Sequence, residues 1–321
     1  MIHLVFTGGT ISMQRDPAAG GNVPAHGGEA LVAFAPELER IAPFRIENWA
    51  RMPACHFGPD RIWALRERIR AIQEGAELAA GERPTGIVVT HGTDTLEETA
   101  YLLARTLDPA IPVAITGAMR TSSDAGWDGP RNLTDAATVA ASAASAGRGT
   151  MVVFGGQVFA GHAAAKVDTM RVDAFAAPHG APIGVVAAGA VHYESAPPSL
   201  AVLRPRALTA RVAVISAVTG DRGELLDLAR PTHDGVVLVA FGSGNAPPGL
   251  VPAVRRWRDE GKPVVLASRC LYGVVTPAYA FDGGGARLVE MGVIPAGPRT
   301  PSQARMELMI ALSAGVPYGA D

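Results

Sequence analysis

The chain has 321 residues, 48% hydrophobic and 18% charged, long enough for two cores and ordinary for a soluble globular enzyme. Its formal charge of -2 gives no electrostatic case for nucleic acid or an anionic membrane. No apolar run is long enough to span a bilayer.

The N-terminus runs straight into the strand-like IHLVFT without a basic region or a long apolar stretch, so a signal peptide is not expected. Two cysteines, Cys55 and Cys270, lie far apart. Two unpaired thiols fit a reducing compartment, and the cytoplasm is the expected location. The alternative is a secreted chain whose leader has been removed.

In chain order, residues 3–11 read HLVFTGGTI and residues 86–95 read GIVVTHGTDT. Each is an apolar run that ends in a Gly-Thr turn. Each places a threonine hydroxyl, on Thr10 and Thr93, at the carboxyl end of a buried parallel strand. Ligands of open α/β sheets bind at that edge. Glycine lets backbone N–H groups approach a substrate closely. The arrangement suits covalent chemistry on an acyl group, with a threonine as nucleophile; the alternative for Thr10 is a role in turn geometry alone. Residues 12–28, SMQRDPAAGGNVPAHGG, are rich in Gly, Pro and small residues. They read as a lid over the Thr10 turn, mobile without substrate, or as a plain surface loop.

Residues 59–74 predict a helix with Ile62, Leu65, Ile69 and Ile72 on one stripe. Thr95-x-x-Glu98 reads as a capping box. It opens a helix whose positive end lies beside Thr93 and Asp94, where an oxyanion would be favoured. Further strands are expected at LVFT, PVAITGA and TMVVFGG, with continuous apolar character that fits a parallel sheet covered on both faces. Alanine-rich 136–146 reads as a helix.

Residues 191–209, with proline pairs and no period, predict a linker. Strands VAVISAV, GVVLVAFG and PVVLAS then alternate with helices near 248–260 and 302–314. Thr300, Pro301 and Gln303 form a helix start. The expected fold class is α/β with two domains. Residues 1–190 form a larger, doubly wound, mostly parallel sheet that carries the chemistry. Residues 210–321 form a smaller parallel-sheet domain.

TGGTI at 7–11 and HGTDT at 91–95 resemble the two signature motifs of the bacterial-type L-asparaginases. The resemblance continues in ITGAMR (115–120), DGPRNL (128–133), Lys166 ahead of TMRVDAF (169–175), and GSGNAP (242–247). It runs over nearly the whole chain. It implies hydrolysis of L-asparagine to L-aspartate and ammonia through an ester on Thr10. Residues matching Thr93, Asp94 and Lys166 form a relay in that family. The physical logic is that a lysine in a dry setting can take a hydroxyl proton, while a carboxylate holds the lysine. Lys166 sits in GHAAAKVDTM, nearly free of other charge, and lysines are very few in this chain. A buried Lys166 paired with Asp94 is therefore expected, against the alternative of a solvated surface lysine.

For the substrate grip, the Asp94 carboxylate suits an α-ammonium group. Backbone N–H groups of Gly92 and Thr93, with the side chain of Cys55 or His56, suit an α-carboxylate. N–H groups near Thr10 and Thr93 suit the oxyanion. Asn245 matches the family asparagine that supports the site; the alternative is a turn asparagine in a Gly-rich loop. The resemblance also implies a homotetramer built as a dimer of dimers.

Three departures from the family stand out. No tyrosine occurs between Thr10 and Tyr101, where the family lid usually carries one; the lid offers Asn22, Val23 and His26. Cys55, followed by His56, stands where the family has a substrate-binding serine. PAYAFD at 277–282 lacks the glutamate that some members lend a neighbouring subunit, with Tyr279 as candidate occupant. These changes leave open an amidase for D-asparagine, L-glutamine or an unrelated small amide. A non-catalytic binding protein on the same scaffold, or the ammonia-producing subunit of an amidotransferase, are further alternatives. GSGNAP lacks dinucleotide spacing, the histidines show no metal-ligand pairing, and no G-x-S-x-G elbow occurs at 242–244. No cofactor and no metal are expected; the expected partner is a small-molecule amide.

Overall fold

The computed structural model describes residues 1–76, 83–197 and 200–320. The chain divides at Val202 and Leu203 into two units. The division falls inside the stretch 191–209 read as linker, of which residues 198–199 lie outside the described residues.

The first unit is built on strand β1 (Ile2–Gly8), buried at every position. It continues through a hairpin, β2 (Met13–Asp16) and β3 (Gly21–Pro24), then helices α1 (Gly28–Ala33) and α2 (Leu38–Ile41). Next come β4 (Phe44–Met52), α3 (Pro59–Gln73), β5 (Gly86–Thr90), α4 (Leu96–Thr106) and β6 (Val113–Thr116). Helix α5 (Gly129–Ala141) and β7 (Thr150–Phe154) follow. The unit ends with β8 (Gln157–Ala160), β9 (Ala165–Lys166), β10 (Phe175–Ala176), β11 (Gly184–Ala187) and β12 (Ala190–Tyr193).

Eight of these strands form one sheet in the order β12-β11-β8-β7-β6-β5-β1-β4. The five from β7 to β4 are parallel, and β8, β11 and β12 extend the sheet antiparallel. Residues 191–193, read as linker, thus lie in an edge strand. A tyrosine and a valine there pack on the core, and period-2 burial of a short edge strand is weak in sequence.

Alternate strand residues feed opposite faces. Leu4, Phe6, Val88 and Val153 meet Leu31, Leu38 and Leu133 of α1, α2 and α5 in one core. Helices α3 and α4 pack together on the other face, and α3 buries Ile62, Leu65, Ile69 and Ile72, the stripe expected from sequence. Among the parallel strands β1 lies between β4 and β5, so successive connections leave β1 in opposite directions. The crevice at the carboxyl ends of β1 and β5 is therefore the switch point, where such sheets bind ligands.

The second unit has four parallel strands in sequence order: β13 (Val212–Ser216), β14 (Gly235–Ala240), β15 (Val264–Ser268) and β16 (Ile294–Pro295). Between them run α6 (Glu224–Ala229), α7 (Val251–Asp259) and α8 (Gly285–Glu290). Trp257 of α7 and Leu226 of α6 fill one core with Leu238 and Leu266. Helix α9 (Pro301–Ala314) covers β13 to β15 and starts with the Thr300–Gln303 capping box expected from sequence.

Candidate active site

Three turns of the first unit meet at the switch point. Strand β1 ends in Gly8 and Gly9, both in the left-handed region at φ 105° and 83°. A Cβ on Gly9 would stand 2.4 Å from Gly92 Cα, so the TGGT and HGTD turns pack backbone to backbone. A Cβ on Gly92 would stand 2.6 Å from the Ala54 Cβ. Only glycine fits either position. Thr10 and Thr93 are thereby brought to one crevice, each one residue beyond the contact.

Thr10 opens a short 3-10 turn and is partly exposed. Among the described residues its hydroxyl has no hydrogen-bond partner. Thr93 is buried, at 4% exposure. Lys166 Nζ donates to Thr93 Oγ1 at 2.9 Å and to Asp94 Oδ1 at 2.9 Å. The Lys166 side chain is 19% exposed and that of Asp94 64%. The lysine is thus mostly dry and paired, as expected, while Asp94 is largely exposed and its second carboxylate oxygen has no hydrogen-bond partner among the described residues.

The supporting bonds explain several motifs. Lys166 lies on β9, which pairs with Phe175 of β10. Asp168 accepts from the N–H groups of Met170 and Arg171, and so turns TMRVDAF back toward that pairing. The Lys166 backbone N–H donates to Glu97 Oε2 at 2.8 Å. Asp128 accepts from Met119 and Arg120 N–H, and Asn132 Nδ2 donates to Gly117 O. Gly117 in turn packs on His91 O, where a Cβ would stand 2.4 Å away. ITGAMR and DGPRNL therefore brace the turn that carries Thr93.

Thr95 is the N-cap of α4 but makes no cap bond. Its hydroxyl donates to Ala54 O at 3.0 Å instead, so the capping box expected at Thr95 and Glu98 does not form. That bond ties the helix start to the 53–56 turn. Cys55 and His56 follow Ala54 in that turn and are both exposed.

The lid segment contains the hairpin Met13–Asp16 with Gly21–Pro24, rather than an irregular loop. Ser122 Oγ donates to Met13 O at 3.1 Å, so His26 Nε2, 2.8 Å from the same Oγ, is the donor to it. The His26 ring packs edge-on against Phe34 and beside Trp127. Its polar edge is committed to Ser122.

Asn245 belongs to the second unit. Its Oδ1 accepts from Gly285 N at 3.2 Å at the start of α8, and its backbone closes a turn with Phe241. The first unit thus brings together Thr10, Thr93, Asp94, Lys166 and Gly92, with Cys55 and His56 in the abutting turn. Sequence reasoning passed over Glu97, His91 and Thr99. His91 is fully buried, 2.8 Å from Gly92 O and 3.1 Å from Thr99 Oγ1. Its only sequence signal is a histidine closing an apolar strand; nothing marks Thr99 in the first turn of α4.

A hydroxyl, a lysine-bound hydroxyl and an exposed carboxylate thus meet at the switch point of a doubly wound α/β sheet. Residues 1–199 match the family model described as asparaginase, N-terminal, and residues 211–318 that of the glutaminase/asparaginase C-terminal domain. The chain belongs to the bacterial-type asparaginase family of amidohydrolases. It is 40% identical to a probable L-asparaginase of Deinococcus radiodurans, over 98% of this chain and 93% of that one. It is 30% identical to L-asparaginase 2 of Escherichia coli K12, over 97% and 88%. A crystal structure titled probable cytoplasmic L-asparaginase, from Campylobacter jejuni, superposes with a TM-score of 0.84 at 26% identity, covering 97% and 94%. No described helix is long and apolar enough to cross a membrane.

Proposed function

We propose that this chain hydrolyses L-asparagine to L-aspartate and ammonia, with Thr10 as nucleophile. The observation that carries the reading is the Lys166 ammonium bonded to both Thr93 and Asp94, in a turn packed directly on that of Thr10. Thr10 Oγ attacks the side-chain amide carbon. N–H groups of the Thr10 and Thr93 turns take the charge on the carbonyl oxygen. The C–N bond breaks, and the nitrogen leaves as ammonia with the hydroxyl proton. Water then adds to the threonyl ester. For this step the ammonium first gives up a proton to solvent; Thr93 Oγ1 then takes the proton of that water as its own passes to the Nζ amine, and the proton ends on Thr10 Oγ as the ester bond breaks.

The open oxygen of Asp94 suits the α-ammonium group. The Gly92 N–H and the Cys55–His56 turn suit the α-carboxylate. Asn245 keeps the supporting part that the family resemblance gives it, testable as Asn245→Ala. The same reading makes the protein a homotetramer in the cytoplasm, where the exposed thiols of Cys55 and Cys270 would stay reduced.

A thiol is a poorer hydrogen-bond partner than a hydroxyl. Cys55 therefore favours, as second reading, a looser preference among small amides. The test is ammonia release from L-asparagine, D-asparagine, L-glutamine and simple amides. Fastest release from L-asparagine is expected. Release from none of them contradicts the proposal.

A further inference from the structure

We infer that His91 is a positioning residue that aims the Thr93 N–H at the substrate oxygen, and that Thr99 anchors the ring by donating to its bare nitrogen. The inference rests on the function proposed above and goes beyond it to the origin of the oxyanion donor.

His91 Nδ1 lies 2.8 Å from the Gly92 carbonyl oxygen. A carbonyl can only accept, so Nδ1 bears the hydrogen. Burial pushes the pKa of the ring down to about 4, so the imidazole is neutral in ordinary buffers and Nε2 is bare. The Thr99 hydroxyl, 3.1 Å away, donates to it. Phe57 lies against the ring, with centroids 4.6 Å apart, and limits its rotation.

The consequence runs through a planar, trans peptide. The carbonyl of Gly92 and the N–H of Thr93 point in opposite directions across one plane. Holding the carbonyl toward His91 turns the Thr93 N–H away from it. Gly92 has no side chain to oppose rotation of this plane, so the orientation needs a clamp. Among the described residues the Thr93 N–H meets no acceptor, although Thr93 is buried. A dry, unpaired donor is costly unless a ligand satisfies it. If the ring proton moved to Nε2, two lone pairs would face each other at Gly92 O, and the plane would turn.

The test compares His91→Asn, His91→Gln, Thr99→Val and Thr99→Ser, each checked for a cooperative melt. Asn places an amide N–H where Nδ1 stands, so His91→Asn should keep kcat near that of the parent. Gln reaches past the carbonyl, and Thr99→Val leaves the buried Nε2 without its donor, so the ring keeps one anchor of two. Each should lower kcat about three- to tenfold, the kinetic equivalent of one hydrogen bond, with KM for L-asparagine unchanged because the donor acts on developing charge. Thr99→Ser should restore the rate. Nitrogen-15 NMR should place the ring proton on Nδ1 in the parent and in Thr99→Ser. Parent-like kcat in folded His91→Gln and Thr99→Val, losses that merely follow melting temperature in all four, or a parent ring protonated on Nε2 would each overturn the inference. If the parent protein releases no ammonia, the proposed function fails instead, and the NMR arm alone decides the clamp.

Discussion

Replacing Lys166 by Met removes the ammonium and keeps an unbranched apolar stem. The stability cost can be worked from its two bonds. The partner Asp94 is 64% exposed, so solvent screens the ion pair to about 1 kcal/mol or less. The bond to Thr93 adds about 1 kcal/mol, partly offset by burying the Met side chain. A net loss of about 1 kcal/mol lowers the melting temperature by only about 2–4 °C for a unit of this size. The catalytic cost is of another order. Groups that act as a unit lose about 10^3-fold or more when one is removed, about 4 kcal/mol of barrier. Lys166→Arg should not restore activity, because a planar fork cannot present one compact donor to two oxygens in this space. The assay pairs a thermal melt with ammonia release from L-asparagine. A folded Lys166→Met that keeps more than a tenth of the parent rate would refute the relay.

Three more outcomes follow from the same geometry. Gly9→Ala should cost more than about 2 kcal/mol and abolish activity, since the new Cβ stands 2.4 Å from Gly92 Cα on a backbone at φ 83°; Gly21→Ala, with nothing within 4 Å, is the control, and equal denaturation midpoints would contradict the packing. Because the His91 pKa falls from 6.5 to about 4 on folding, the unfolded chain binds the extra proton between those values. Stability from this group is therefore complete above about pH 6.5 and is lost as pH falls toward 4, by about 3 kcal/mol in all; urea midpoints should show a flatter acid slope in His91→Asn than in the parent. Cys55→Ser should lower KM for L-asparagine by supplying a stronger hydrogen-bond partner; an unchanged KM would show that the thiol position does not touch the substrate, and a raised KM that the thiol is the better partner.

The parts of the fold legible in sequence are those whose signal is local. β1, β5, β6 and β7 are continuous apolar runs, the stripe of α3 is periodic, and Thr300 caps α9 in its own sequence neighbourhood. Strand β4 was not legible, because FRIENWARM carries charges on an edge and takes its place only from pairing with β1. The hairpin at residues 13–24 is held by backbone pairing and by Ser122, a partner over 100 positions away. For the site, Thr10, Thr93 and Asp94 announce themselves at strand ends, and Lys166 by the absence of other charge around it. Thr95 misleads for a related reason. Its spacing to Glu98 is that of a capping box, but the acceptor it chooses, Ala54 O, is 41 residues away and invisible to spacing. The resemblance to the asparaginases supplied what local chemistry could not, namely the expectation that these four residues act together.

The central claim is that the acyl group is carried by Thr10 and released through Thr93 and Lys166. Thr93→Val should slow release of the ester while leaving the Thr10 attack in place. This variant, mixed with L-asparagine, quenched in acid and mapped by peptide mass spectrometry, tests the claim most directly. An aspartyl ester is expected on the peptide containing Thr10 and on no other. An ester on another residue, or continued turnover in Thr10→Ala, would contradict it.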